Sequence, residues 1–407
     1  MAKHTESLPL IIVAADFKFK PFDYDRFEID YLKQYSDVVI WDLSYLSSKS
    51  FHKAISSAQY DGDDLKSINS YRQLFSEILF IKRNYNKKGI VVMNFVTPNS
   101  LASLFFLIAV KKLGLNSVKY YNSGVPNISS TNNNITIRYV TKALKRRFYL
   151  LLSKAFNIFP THYIYAGDYW KQKYGHIVHK SGGKWLGGNT WDYSNVLSKI
   201  EDGSKKELDQ QKTAVLLDGA GPMFGSDDVN IGKKTYITSE VWYPALVSFL
   251  EKIERRSNTI VNVAAHPKAS HYSNPSCFGY RNVLYGKTKE MVFNSSFVIT
   301  RGSTAISYAV IYKKPVVFIY SDQIKEDKLG MASVNAMSEL LGTTPINIDG
   351  DLKGISDYLE VNEFYYDLYR KNYLSSSDGL RTNAQILLED ILFIPTEKIK
   401  HSDSFSK

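Results

Sequence analysis

Two short segments in the second half of this 407-residue chain have the side chains to hold a phosphate. The first is Val261-Asn262-Val263-Ala264-Ala265-His266-Pro267-Lys268, a buried strand by pattern that ends in an imidazole and an ammonium. Proline fixes the backbone between them, and Lys268 supplies a point charge suited to phosphate. The second is Phe297-Val298-Ile299-Thr300-Arg301-Gly302-Ser303-Thr304-Ala305, a strand running into a helix. Gly302, Ser303 and Thr304 there offer N–H groups and hydroxyls at the positive end of a helix dipole, an anion site. The same groups also serve to cap their own helix. A lone histidine at a strand end is commonly structural, but His266 beside Pro267-Lys268 and the second segment reads as a ligand contact. Arg301 either faces the same phosphate or lies exposed, and His271 is a weaker candidate.

A third segment, Leu216-Leu217-Asp218-Gly219-Ala220-Gly221-Pro222, places a carboxylate where a strand gives way to glycines. Asp218 has two readings: a general base that takes a proton from an attacking hydroxyl, or a turn residue bound to its own loop. Asp227 and Asp228 compete for the first role. The chain has no Walker loop, no Gly-x-Gly-x-x-Gly fingerprint and no His-Glu-x-x-His stretch. It also lacks a Gly-x-Ser-x-Gly turn. Its histidines are few and scattered, so no metal site is expected.

These segments need a scaffold that ends several strands side by side. Short apolar runs at Leu8–Ala15, Asp37–Leu43, Gly89–Phe95, Ser117–Tyr121 and Thr161–Ala166 alternate with helical stretches at Tyr24–Gln34, Leu65–Lys87, Pro98–Leu113 and Tyr139–Phe156. That alternation predicts a parallel sheet covered by helices. Thr97 and Pro98 are expected to open the third helix and Gly114 to close it. Asn122 to Thr136 reads as an exposed loop. Lys180 to Asp192, with four glycines, reads as a pliable domain passage, and Ile200 to Lys212 as a charged linker. A second α/β series follows, with strands at Thr213–Leu217, Thr259–Ala264, Phe297–Thr300, Pro315–Tyr320 and Pro345–Ile348. Its helices are expected at Ser239–Arg256, Lys287–Asn294, Thr304–Tyr312 and Leu352–Leu359, with two more at Glu363–Leu374 and Gly379–Ile391. The predicted domains are residues 1–190 and 213–375, with a linker at 191–212 and a C-terminal helix and tail at 376–407. In open α/β sheets, ligands bind at the carboxyl ends of the strands.

A hydrophobic fraction of 44% fits packed domains rather than a disordered chain. The single cysteine, Cys277, excludes an intrachain disulfide and fits a cytoplasmic location. The N-terminal residues lack a signal-peptide pattern. The run Leu101 to Val110 is about half of the roughly 20 residues that cross a bilayer, so no span is expected. The net charge of +11 favours anionic partners. Lys142, Lys145, Arg146 and Arg147 precede the apolar Phe148-Tyr149-Leu150-Leu151-Leu152. That order fits an ordinary amphipathic helix, or one lying on the inner face of an anionic membrane. No nucleic-acid motif is present.

The order strand–Asp218–Gly219, then His266–Pro267, then Ser303–Thr304 resembles bacterial sialyltransferases and related capsule or lipopolysaccharide glycosyltransferases of the GT-B fold. The likeness spans residues 213 to 320 at motif level. It implies two Rossmann-like domains facing each other across a cleft, with C-terminal helices. It also implies transfer of an acidic sugar, a nonulosonic acid or Kdo, from a CMP donor to a glycan or lipid-linked glycan acceptor, without a metal. By the resemblance Asp218 is the base, while Gly219, His266, Pro267, Lys268, Gly302, Ser303 and Thr304 surround the CMP. The family has two acids before the glycine, and here Leu217 takes the place of the first. Other readings are a UDP- or GDP-sugar glycosyltransferase, a UDP-sugar 2-epimerase, or a basic membrane scaffold without catalysis.

Overall fold

A computed structural model describes residues 8–49, 59–125, 137–198, 212–219, 221–222, 236–266, 276–352, 354–376 and 380–396. The chain divides into two compact units. The first takes in residues 1–123, 137–203 and 375–407, and the second 124–136 and 204–374.

The first unit is built on a parallel sheet of order β3-β2-β1-β4-β5-β6-β7. Its strands are β1 Leu10–Ala15, β2 Asp37–Asp42, β3 Leu65–Ser67, β4 Ile90–Phe95, β5 Asn116–Tyr121, β6 His162–Ala166 and β7 Lys184–Gly188. All of β1 is buried because both faces are covered. Leu10, Ile12 and Ala14 meet the helices Tyr71–Asn84, Leu101–Leu113 and Ile137–Ala155 through Leu74, Leu104 and Tyr149. Ile11 and Val13 meet Phe27, Ile29 and Leu387 on the other face.

Four expectations are corrected here. Leu65–Ser67 is a strand, and the helix begins only at Tyr71, where Ser70 accepts from the Gln73 N–H at 3.2 Å. The helix expected from Pro98 begins at Leu101, capped by Ser100, because Thr97 is engaged elsewhere. The stretch Tyr24–Gln34 is not continuous: Glu28 sits at φ 57° between Pro21–Arg26 and Ile29–Lys33. The supposed passage at Lys180–Asp192 contains strand β7. Gly183, Gly187 and Gly188 serve close approach, and Gly182 ends the preceding helix at φ 69°. A Cβ on Gly188 would fall 2.4 Å from the Ile164 Cγ2 and 2.8 Å from the Asn383 Oδ1.

Asn383 belongs to the C-terminal helix Asn383–Asp390, which is part of the first unit rather than a separate tail. Glu28 explains the attachment. Its buried carboxylate accepts from the Ser194 hydroxyl and, at 2.8 Å, from the Ala384 N–H in the helix's first turn. Burial pushes the Glu28 carboxyl above its usual range, against these hydrogen bonds.

The second unit has a parallel sheet of order β10-β9-β8-β11-β12-β13. The strands are β8 Thr213–Leu217, β9 Ile260–Ala265, β10 Val283–Tyr285, β11 Val298–Thr300, β12 Val316–Tyr320 and β13 Ile346–Asn347. Helix Ser239–Ser257 lays Trp242, Leu246, Phe249, Leu250 and Ile253 onto Leu216, Val261 and Val263. Glu254 ties its end to the sheet, accepting from the Val261 N–H at 2.9 Å, the Arg281 Nε at 3.1 Å and the Tyr280 hydroxyl at 2.6 Å. In each unit the first strand lies between the second and the fourth, so each sheet reverses its order beside its first strand.

Candidate functional site

The three segments picked out by residue type end on three neighbouring strands, β9, β8 and β11. In register, Leu217 pairs with Ala264 on one side and Thr300 on the other. Asp218 directly follows β8, and its N–H donates to the Ala264 carbonyl at 3.1 Å, so the ladder reaches the aspartate. His266 follows β9 and is half-buried; Arg301, Gly302 and Ser303 follow β11. Pro267, Lys268, His271, Asp227 and Asp228 lie outside the described residues.

Asp218 is 8% exposed, the least accessible of the group. It continues the face of Ala214 and Leu216, which belongs to the core under helix Ser239–Ser257. Cys277 is buried in that core, and burial followed by the negative charge of Asp218 pushes its thiol up to about 11. The carboxylate therefore lies near Cys277, whose thiol stays protonated and inert at neutral pH.

Arg301, left between two roles by the sequence, lies against the turn after β8. A Cβ added to Gly219 would fall 3.4 Å from its Nη2, and one added to Gly221 would fall 3.2 Å from that atom. The guanidinium also stands 5.8 Å from the centre of the Trp242 ring, within cation–π range. A permanent cation thus sits where β8 and β11 part, beside Gly219 and Gly221.

The glycine-hydroxyl turn differs from expectation in one respect. The helix begins at Ile306, not Thr304, and Ala305 precedes it without a side-chain cap. Gly302 stands at φ 149° with its N–H donating to the Thr300 Oγ1 at 3.1 Å. Ser303 Oγ accepts from the Ala305 N–H at 3.2 Å, and the Ser303 carbonyl from the Ile306 N–H. Among the described residues the N–H groups of Ser303 and Thr304 donate to no other protein group. Two adjacent donors therefore remain for an anion where three had been expected. Among the described residues no cluster of three or more His, Cys, Asp or Glu is placed to hold a metal.

Sequence reasoning missed Asp16. It follows β1 as Asp218 follows β8, and its carboxylate accepts from Thr97, the N–H at 2.8 Å and the hydroxyl at 2.6 Å. Thr97 follows β4, the neighbour of β1, so Asp16 occupies the same position in the first sheet that Asp218 occupies in the second. Burial raises the Asp16 carboxyl above its usual range, against the Thr97 hydrogen bonds and the Lys119 charge. The visible signal was Ala14-Ala15-Asp16, an apolar strand ending in an acid. A cavity of about 590 Å³ in the same unit is lined by Leu10 and Asp37, where β1 and β2 begin, at the other end of β1 from Asp16.

Solved structures settle what two such sheets amount to. The wall teichoic acid polymerase TagF aligns with a TM-score of 0.55 at 15% identity, over 96% of this chain and 91% of that one. UGT2 of Phytolacca americana, complexed with UDP-2-fluoroglucose and pterostilbene, aligns at 0.51 with 7% identity, over 95% and 99%. A putative UDP-N-acetylglucosamine 2-epimerase from Listeria monocytogenes aligns at 0.50 with 12% identity, over 96% and 98%. The chain has the GT-B fold. No protein-family model matches it, and no curated protein is detectably similar in sequence. Within a GT-B chain the ends of β8, β9 and β11 belong to the second α/β unit, and Asp16 to the first.

Proposed function

We propose that the protein is a glycosyltransferase that moves a sugar from a nucleotide-activated donor to a hydroxyl of a glycan acceptor. The observation that supports this most directly is the grouping of His266, Asp218, Arg301 and the Ser303–Thr304 turn at adjacent strand ends. In such a transfer the acceptor oxygen bonds to the anomeric carbon while that carbon's bond to the donor phosphate breaks. The electron pair leaves with the phosphate, and the acceptor proton goes to a base. His266, the Arg301 guanidinium and the Ser303 and Thr304 N–H groups stabilise the departing charge. Asp218 is the base. Pro267 and Lys268 extend the donor site, by their place in the sequence.

The donor we favour is a CMP-linked acidic sugar, on the order of the motifs at Asp218–Gly219, His266–Pro267 and Ser303–Thr304. A UDP-sugar is the second reading, for transfer or 2-epimerisation, because two of the similar structures are named with UDP-linked sugars. The reading includes peripheral contact of helix Ile137–Ala155 with an anionic membrane carrying the acceptor. Lys145 and Arg147 are exposed on that helix, whereas the side chains of Lys142 and Arg146 lie outside the described residues.

Thermal protection by CMP, UDP and GDP tests the donor, since a ligand at 100 times its Kd stabilises by about 2.7 kcal/mol. CMP alone should protect; protection by UDP alone selects the second reading, and none by any of the three sinks both. Asp218→Asn should keep CMP protection and cut turnover by about 100-fold or more. If Asp16→Asn does so while Asp218→Asn stays active, the base is Asp16.

A further inference from the structure

We infer that the outer face of the helices Tyr71–Asn84, Leu101–Leu113 and Ile137–Ala155 is a docking surface for an anionic lipid bilayer. This deepens the membrane part of the reading above and does not depend on the transfer chemistry. All three helices turn one side into the same core, through Leu74 and Ile81, Leu104 and Val110, and Tyr149. A helix covering a sheet ordinarily shows water a polar outer side. These show large apolar side chains there as well, interspersed with cations. Leu144, Phe148 and Leu151, spaced four and three residues apart, are 58%, 55% and 64% exposed. Such spacing puts them on one side of the helix. Leu101 and Phe105 repeat the pattern on the second helix, and Phe75 stands out from the first. The first two helices are joined at this surface by an edge contact between Tyr71 and Phe105, 6.4 Å between ring centres.

Charge selects the occupant. The last helix carries Lys145, Arg147 and Lys154 among its exposed residues and no acid anywhere in its sequence. The other two end in Lys82-Arg83 and Lys111-Lys112. Their one acid, Glu77, is held by Lys66 at 2.7 Å. Large exposed apolar side chains ringed by cations, with acids removed, match an interface where acyl chains meet anionic headgroups. Among the described residues no helix is long and apolar enough to cross a membrane, so on this surface the contact is one of lying against the bilayer.

Co-sedimentation of the full chain with vesicles of pure phosphatidylcholine, and with vesicles containing phosphatidylglycerol, tests the inference. The protein should sediment with the anionic vesicles and be released by high salt. Lys145→Gln with Arg147→Gln should weaken that binding on the order of 30-fold, at about 1 kcal/mol per cation. Phe148→Ser with Leu151→Ser should abolish it, and both pairs should keep the wild-type melting temperature because these side chains are exposed. Wild-type binding to neither vesicle, or binding that both pairs leave intact, overturns the inference. So does a wild-type dimer in light scattering that the Phe148–Leu151 pair splits without any vesicle binding, since the face then covers a second copy. Nucleotide protection is read on the same samples: its loss with lipid binding intact sinks the transfer reading alone, and the converse sinks this one alone.

Discussion

Replacing Gly302 by alanine isolates the role of the turn after β11. The residue sits at φ 149°, where a side chain is strained whatever the space around it. Sparsely populated backbone regions of this kind cost about 1–3 kcal/mol. The new methyl would also stand 3.3 Å from the Met337 Sδ. A thioether on a flexible stem yields easily, so strain dominates that contact. For a unit of this size, each kcal/mol lowers the melting temperature by roughly 2–4 °C. The expected loss is therefore about 2–12 °C by calorimetry. Gly219→Ala is the control at the same site. Its φ is ordinary, and the atoms nearest its Cβ would be those of Arg301 at 3.4–3.9 Å, normal contact distances. It should shift melting by less than about 2 °C. The two variants also differ in binding. Relaxing the backbone at residue 302 re-aims the Ser303 and Thr304 N–H groups, so nucleotide protection should fall in Gly302→Ala and persist in Gly219→Ala. Equal melting temperatures for Gly302→Ala and the wild type, with equal protection by nucleotide, would refute the assignment of that turn.

Glu254→Gln should cost about 3–5 kcal/mol, because it leaves the fully buried Arg281 guanidinium without its charge partner; a denaturation midpoint within about 1 kcal/mol of the wild type sinks this account. Asp23 gives a pH signature. Burial raises its carboxyl from 3.8 to about 6, outweighing the Lys20 N–H that it accepts from at 3.1 Å and the nearby cations. The unfolded chain therefore loses this proton first, and stability falls as pH rises from about 4 to about 6, by at most about 3 kcal/mol. Asp23→Asn should flatten that part of the stability curve, and a wild-type-minus-variant difference that is constant across the window rules the cause out.

The strands that carry the site were legible because each is a mainly aliphatic run that is largely buried, a pattern that survives without tertiary information. Asp218, His266 and Arg301 could be placed at strand ends for the same reason. What was not legible depends on partners far along the chain. Strand β7 is glycine-rich because Ile164 and Asn383 crowd it, and no local signal announces residue 383. The break at Glu28 requires Ser194 and the Ala384 N–H. Thr97 looked like a helix cap until Asp16 claimed both its N–H and its hydroxyl. In each case a distant hydrogen bond or close contact overrode a local preference worth about 1 kcal/mol.

The same comparison explains why one carboxylate was found and its counterpart missed. Asp218 precedes glycines, and glycines draw the eye to a turn, whereas Asp16 precedes Phe17 and shows nothing but the end of a strand. Topology treats the two alike. Each sheet reverses its strand order beside its first strand, and the chain leaving that strand meets the chain leaving the fourth. At that junction the backbone ladders part, so side chains rather than neighbouring strands must satisfy the exposed N–H and hydroxyl groups. In the first sheet the aspartate does so, with Thr97. In the second, Thr300 and Ser303 satisfy their own turn, Arg301 covers the glycines after β8, and the Ser303 and Thr304 donors are left over. The first junction is thus satisfied around a carboxylate, and the second keeps two N–H donors over, with Arg301 lying against the glycines that follow Asp218. Under the transferase reading proposed above, the two spare N–H groups of Ser303 and Thr304 favour the second junction as the donor site.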